Sequence, residues 1–200
     1  MKAQDYKIKL LSEEYMDEHA DELNWDEVSL YQKMSVDFIV KHQKQINFRL
    51  LSGNPFLTFE IIDRFSTKIS WPTISMNGKG LSESMMFNYR NKLVWSIVLS
   101  QKQLELKFLI IMSEIFRKSR AKNAKEFWKA VSKFQPLDKT YIDNYKRYVD
   151  FTELSKNPYL KEDLMEVYYD KLDKEELFKK HDLSKDFLTK HRKDFMNAIK

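Results

Sequence analysis

The sequence predicts an all-α fold built as a solenoid of tandem short helical hairpins, about seven of them plus a terminal helix. Three observations carry that prediction. A pattern of Leu-Ser-x-x-aromatic-aliphatic, followed by Asn-Trp-x-x-aliphatic-Ser, recurs about every 23 residues almost to the C-terminus. Polar residues suited to cap helix N-termini fall at fixed places within that period. Only three Gly and four Pro in 200 residues leave little turn chemistry for a β protein.

The first position of the repeat is held by Leu11, Met34, Leu57, Leu81, Leu104, Leu137, Leu160 and Leu183, with steps of 23, 23, 24, 23, 33, 23 and 23. Ser12, Ser35, Thr58, Ser82, Asp138 and Ser184 follow it. Each has a side-chain oxygen that can accept from an unpaired N–H of a first helical turn. Glu105 and Lys161 break this pattern in the fifth and seventh copies. Apolar pairs such as Tyr15-Met16, Phe38-Ile39 and Ile61-Ile62 come next. Then come His19, His42, Phe65, Tyr89, Tyr145, Tyr168 or His191, and four residues later an aliphatic such as Leu23, Ile46 or Ile69. Spacings of four and eight place these on one face of a helix about eleven residues long.

A second start signal follows at once. Asn24, Asn47, Ser70 and Asp150 each precede a Trp or Phe, and Asn24 with Glu27 and Asp150 with Glu153 have capping-box spacing. Trp25, Phe48, Trp71, Trp95, Trp128 and Phe151 share one slot, with Val28, Leu51, Ile74, Val98, Val131 and Leu154 three residues on. This second helix spans about two turns, and Pro72 suits its first turn. A hairpin this small cannot bury its own apolar stripe, so neighbours are expected to stack and the Trp slot to form a core ladder. The hairpins run from Leu11 to His181, and the terminal helix from Leu183 to about Ile199. Residues 1–10 form an N-terminal extension, and 11–200 one helical-repeat domain.

The fifth repeat, 104–135, carries a ten-residue insertion, because Leu104 to Trp128 spans 24 residues where the parallel distance elsewhere is 14. Asn123 with Glu126 suggests a cap for a longer second helix from about Ala124 to Phe134. Leu104, Phe108, Ile111, Met112 and Ile115 have the spacing of a buried central helix. In the seventh repeat Lys174 takes the Trp slot, which suggests a looser, more exposed end.

Charge is unevenly spread. Leu11 to Gln32 holds eight acidic residues and no Lys or Arg, and Glu13, Glu14, Asp17, Glu18, Asp21 and Glu22 make a candidate acidic patch. Lys102 to Gln135 holds nine basic residues against three acidic, in a chain whose net charge is +5. Arg117, Lys118, Arg120, Lys122, Lys125 and Lys129 are the candidate contacts to phosphates or to an acidic protein surface. Each cluster also has a plain reading as the solvated face of a helix, with the earliest carboxylates favoured by the helix dipole.

Little points to catalysis. His19, His42 and His191 occupy the slot that Tyr fills elsewhere, which argues for shared packing rather than a zinc or proton-transfer site. The Ser52-Gly53-Asn54-Pro55 and Asn77-Gly78-Lys79-Gly80 segments lack the spacing of a phosphate loop and read as junction turns. No nucleophile-elbow, zinc-protease or calcium-loop motif is present, and no Cys offers a thiol or disulfide. No segment is apolar for the roughly 18 residues a bilayer span needs. Met1 to Leu10 has three Lys and no apolar stretch behind them, so it does not read as a secretory signal. The expectation is a cytoplasmic, non-enzymatic protein without cofactor or metal.

Segments such as Leu11-Ser12-Glu13-Glu14-Tyr15-Met16 and Leu23-Asn24-Trp25-Asp26-Glu27-Val28-Ser29 resemble the short tandem repeats of uncharacterised large-DNA-phage and giant-virus proteins. The resemblance covers nearly the whole chain. It implies a viral origin and a helical stack, and it brings no catalytic residues with it. The function expected on that basis is a viral accessory protein that binds and modulates or inhibits a host factor. The alternative is a nucleic-acid-binding helical-repeat protein that uses the basic segment 117–129.

Overall fold

The computed structural model describes residues 9–180 and 182–198. Nearly all of the 1–10 extension, His181 at the end of the last expected hairpin and the expected end of the terminal helix at Ile199 lie outside the described residues. The described chain is all-helical, with sixteen α-helices, two 3-10 turns and no strand. It divides into two compact units, residues 1–76 and 77–200.

In the first unit the helices are α1 (Glu13–Glu18), α2 (Trp25–Tyr31), α3 (Val36–Lys41), α4 (Phe48–Leu51), α5 (Phe59–Arg64) and α6 (Trp71–Met76). They alternate as the period requires. Ser12, Ser35 and Thr58 cap the first helix of each hairpin by accepting from the N–H three residues on. Asn24 and Asn47 cap the second.

These first helices are six residues long rather than eleven. The helix ends at the aromatic or His slot, where His19 has φ −112° and ψ 24°. A hydrogen-bonded turn then carries the chain on, as Glu22 N–H donates to the His19 carbonyl at 2.9 Å and Ile46 N–H to the His42 carbonyl at 3.1 Å. The helix stops early because the next cap, Asn24, needs extended backbone, with φ −76° and ψ 98°. Ile46 and Ile69, at the end of the turn, are still buried.

The second unit holds α7 (Glu83–Asn88), α8 (Trp95–Gln101), α9 (Leu106–Arg117), α10 (Lys122–Phe134), α11 (Lys139–Tyr145), α12 (Phe151–Leu154), α13 (Glu162–Tyr168), α14 (Lys174–Lys180), α15 (Lys185–Lys190) and α16 (Arg192–Ala198). The Asn77 segment is a turn, as expected, and continues into a 3-10 turn at Gly78–Gly80. It runs so close to α8 that a Cβ on Gly78 would lie 3.1 Å from the Val98 carbonyl oxygen, and glycine alone avoids that contact. The expected terminal helix is two helices, broken at His191, which closes α15 as its C-cap.

The ten-residue insertion lengthens α9 and α10 to 12 and 13 residues. Asn123 does not cap α10. The helix starts at Lys122 behind Ala121, which offers no side-chain acceptor. Asn123 Nδ2 instead donates to the Arg90 carbonyl at 2.9 Å, and Glu126 accepts from the Ser96 hydroxyl at 2.9 Å. α9 is not buried all round either. Phe108, Leu109, Met112 and Phe116 are core, whereas Leu106, Ile110 and Ile111 are each more than 40% exposed.

The Trp slot is only partly a core slot. Trp95 is fully enclosed and meets Phe116 at 5.7 Å and Phe127 at 5.1 Å between ring centroids, but Trp25 and Trp71 are half-buried. The true core slot lies three residues later, where Val28, Leu51, Ile74, Val98, Val131 and Leu154 are each 3% exposed or less. At three of its four Trp the slot also supplies a hydrogen bond. Trp25, Trp71 and Trp95 donate from Nε1 to the carbonyl five residues back, on Ala20, Ser66 and Arg90, at 2.9, 3.0 and 2.9 Å. Lys174 does the same, its Nζ donating to the Tyr169 carbonyl and, at 3.0 Å, to that of Leu172. The seventh repeat is therefore tied down rather than loosened at this slot, and burial pushes the Lys174 pKa down.

Candidate functional site

Within each unit the same side chains join one hairpin to the next. Ser29 donates to the Trp25 carbonyl at 2.6 Å and accepts from the Asn47 N–H at 2.9 Å. Ser52, Ser132 and Ser155 repeat this, accepting from the N–H of Ser70, Asp150 and Asp173, each 18 residues on. Buried Asn54 donates to the carbonyls of Ser29 and Gln32, both at 2.9 Å, and Asn157 donates to those of Ser132 and Gln135 at 2.7 and 2.8 Å. These contacts satisfy backbone groups that helix ends leave open. They make a recurring frame, on which departures from the repeat stand out.

His42 and His191 belong to the frame. Asp17 lies 2.5 Å from His42 Nε2 and 2.8 Å from Lys41 Nζ, and Glu166 pairs in the same way with His191 at 3.1 Å and Lys190 at 2.6 Å. The neighbouring lysine comes first in holding each carboxyl below its ordinary pKa. Tyr168, in the same slot as the His residues, donates to Asp143 at 2.8 Å. These contacts between neighbouring repeats commit His42 and His191 to the packing. Among the described residues no group of three or more His, Asp or Glu is placed to hold a metal ion.

The candidate acidic patch does not act as one surface. Glu13 is committed to the Ser35 N–H and hydroxyl, and Asp17 to Lys41 and His42. Glu14, Glu18, Asp21 and Glu22 are exposed.

The basic segment divides as well. Arg117 is spent on Glu114 at 2.7 Å, and Lys118 is the exposed C-cap of α9. Arg120, Lys125 and Lys129 line a cleft of about 440 Å³ and are joined there by Arg147 from the segment after α11. Lys122 lies on a second cleft, of about 640 Å³, which Lys125 and Lys129 also border. Arg147 was missed in the sequence because it stands outside the basic run. Its only signal there is the adjacent pair Lys146-Arg147 in the following repeat.

The floor of the smaller cleft includes Trp128 and Tyr148, whose rings stack at 5.0 Å. Trp128 is the exception in its slot. It is 95% buried, and its Nε1 has no hydrogen-bond partner. The insertion explains this, since the residue five back is Asn123, inside α10. The one carboxylate on the cleft, Asp150, accepts from the Glu153 N–H as cap of α12. None of Arg120, Lys125, Lys129 and Arg147 has a carboxylate within salt-bridge distance among the described residues. The cleft therefore presents mainly donors and positive charge.

No family model, no curated protein and no solved structure matches this chain.

Proposed function

We propose that this chain is a non-enzymatic protein-binding scaffold, a viral accessory protein that acts in the host cytoplasm by binding and modulating or inhibiting a host factor. The hairpins of each unit stack as in a solenoid through the Ser and Asn joints, and partner recognition falls to what the frame leaves exposed. One observation carries this reading. On α9 the frame leaves Leu106, Ile110 and Ile111 at 49%, 41% and 42% exposure, so aliphatic side chains face solvent on the helix that the insertion enlarges. A partner that buries them gains about 25 cal/mol per Å² of apolar surface removed from water. The viral part of the proposal rests on the repeat resemblance.

The test is an affinity capture of the tagged chain from host-cell lysate with and without nuclease, followed by reconstitution with the purified candidate. A stoichiometric protein that survives nuclease, and that Leu106→Ser with Ile110→Ser fails to bind, supports the proposal. Wild-type affinity in that double variant overturns the role of α9.

A second reading is favoured by the cation-lined clefts: a nucleic-acid-binding helical-repeat protein using Arg120, Lys122, Lys125 and Lys129 on backbone phosphates. It requires binding that weakens steeply with salt. Retention of neither DNA nor RNA on a filter at low salt eliminates it.

A further inference from the structure

We infer that the cleft between α10 and the segment after α11 is a specific receptor for a single phosphate monoester carried on a side chain of the partner protein. This deepens the scaffold reading and rests on it.

The argument starts from which groups lack partners. Elsewhere in the chain a Trp-slot donor finds a carbonyl, and even Lys174 finds one. At Trp128 the insertion takes that acceptor away, so a buried indole N–H is left without a partner on a residue that lines a cleft. An unsatisfied buried donor is costly, and it persists where a ligand or water completes it.

Around it are Arg120, Lys125, Lys129 and Arg147, without carboxylate partners, and the start of α10, a 13-residue helix that no side chain caps. Asp150, the one carboxylate on the cleft, accepts from the Glu153 N–H, and every one of the other groups named donates or carries positive charge, so the complementary ligand is an oxyanion. Four cations around one cleft suit the charge of about −1.5 to −2 on a phosphate monoester better than the single charge of a carboxylate. Two guanidinium groups add the planar forks that match phosphate oxygens.

The same geometry disfavours an extended nucleic acid. A tracking strand needs stacking faces and a continuous run of free cations. Here Trp128 is buried and already stacked on Tyr148, and Arg117 is neutralised by Glu114. Four cations, Arg120, Lys125, Lys129 and Arg147, line the one cleft.

The test uses the full chain and defined probes. The four Trp give four indole N–H signals in a proton–nitrogen NMR spectrum, and Trp128→Phe identifies the one from the cleft. A blocked pentapeptide with one central phosphoserine is titrated beside its unphosphorylated form, its glutamate form, inorganic phosphate and a single-stranded oligonucleotide, all at equal ionic strength.

The phosphopeptide is expected to shift the Trp128 indole signal saturably. It should bind at least tenfold more tightly than the unphosphorylated and glutamate peptides, and tenfold more weakly to Arg147→Gln. The variant Lys193→Gln, at an exposed position away from the cleft, retains wild-type affinity, and circular dichroism checks that each variant is folded.

Absence of any shift overturns the cleft as an anion site. Equal affinity for inorganic phosphate overturns a peptide as the source of the phosphate, and tighter binding of the oligonucleotide overturns it in favour of nucleic acid. A protein partner that Arg147→Gln captures as well as wild type overturns the phosphate contact alone and leaves the scaffold reading standing.

Discussion

Asp17 and His42 meet at 2.5 Å across 25 residues of sequence, and Glu166 and His191 meet across the same 25 residues at 3.1 Å. Two pairs at opposite ends of the chain thus make one contact, because each joins equivalent positions in consecutive copies of the repeat. The flanking lysines, Lys41 and Lys190, complete the same triad.

Acid should loosen these triads. The Asp17 and Glu166 carboxyls have pKa values lowered in the folded chain, first by Lys41 and Lys190 and with a contribution from the histidines. A lowered folded value means that the unfolded chain takes up the proton first. The contribution to stability is then fully present above the ordinary carboxylate pKa near 4 and is lost as pH falls through the folded values. Urea midpoints measured from about pH 6 down to about pH 2 should fall, and Asp17→Asn with Glu166→Gln should flatten the fall. An unchanged pH profile in the double variant would show that the triads do not couple to folding.

Ser29→Ala and Ser132→Ala should each destabilise by about 1–3 kcal/mol, since each removes the acceptor of a part-buried backbone N–H, of Asn47 or Asp150. Lys118→Ala at an exposed cap should stay within about 0.5 kcal/mol of wild type. Denaturant melts of the three variants decide whether the serines are joints or bystanders.

Trp95→Ala should cost about 3–5 kcal/mol, the range for truncating a fully buried aromatic. Trp71→Ala should cost less than that, because Trp71 is only half-buried, although its Nε1 bond to the Ser66 carbonyl is also lost. The ranking of the two melting temperatures is the measurement, and equal losses would mean that the hydrogen bond rather than burial dominates the slot.

Replacing Ile110 and Ile111 by Ser should leave the melting temperature nearly unchanged, since both side chains are more than 40% exposed. The same change should weaken partner capture. A large drop in stability would instead assign these residues to packing.

The local features of this fold were legible in the sequence. Ser12, Ser35, Thr58, Ser82, Asp138 and Ser184 act as caps as their spacing indicated, because a cap is made with an N–H only three residues away. Apolar slots such as Val28 and Leu154 are core because the recurring apolar stripe that their spacing marks has to be buried against neighbouring helices. What the sequence concealed depends on distant partners. The first helices end early because the following cap claims extended backbone. Glu13 and Asp17 read as free surface charge until Ser35, Lys41 and His42 are placed beside them. At the candidate site, three of the six basic residues named from the run do gather at the smaller cleft. Arg147 and the unpaired Trp128 indole became visible only when α10 was set against the turn after α11.

Lys174 carries a lesson about how such repeats diverge. It makes the hydrogen bond of Trp25, Trp71 and Trp95 while sharing neither the shape nor the hydropathy of Trp, and Phe48 and Phe151 fill the same slot with a ring and no donor, so the position takes either part of what a Trp offers. A copy of the repeat can therefore drift beyond recognition by hydrophobic pattern and still close the same loop. Kindred chains would be better sought by a rule that accepts Trp, Phe or Lys at that point, wherever a Ser and an Asn stand at the two joints beside it.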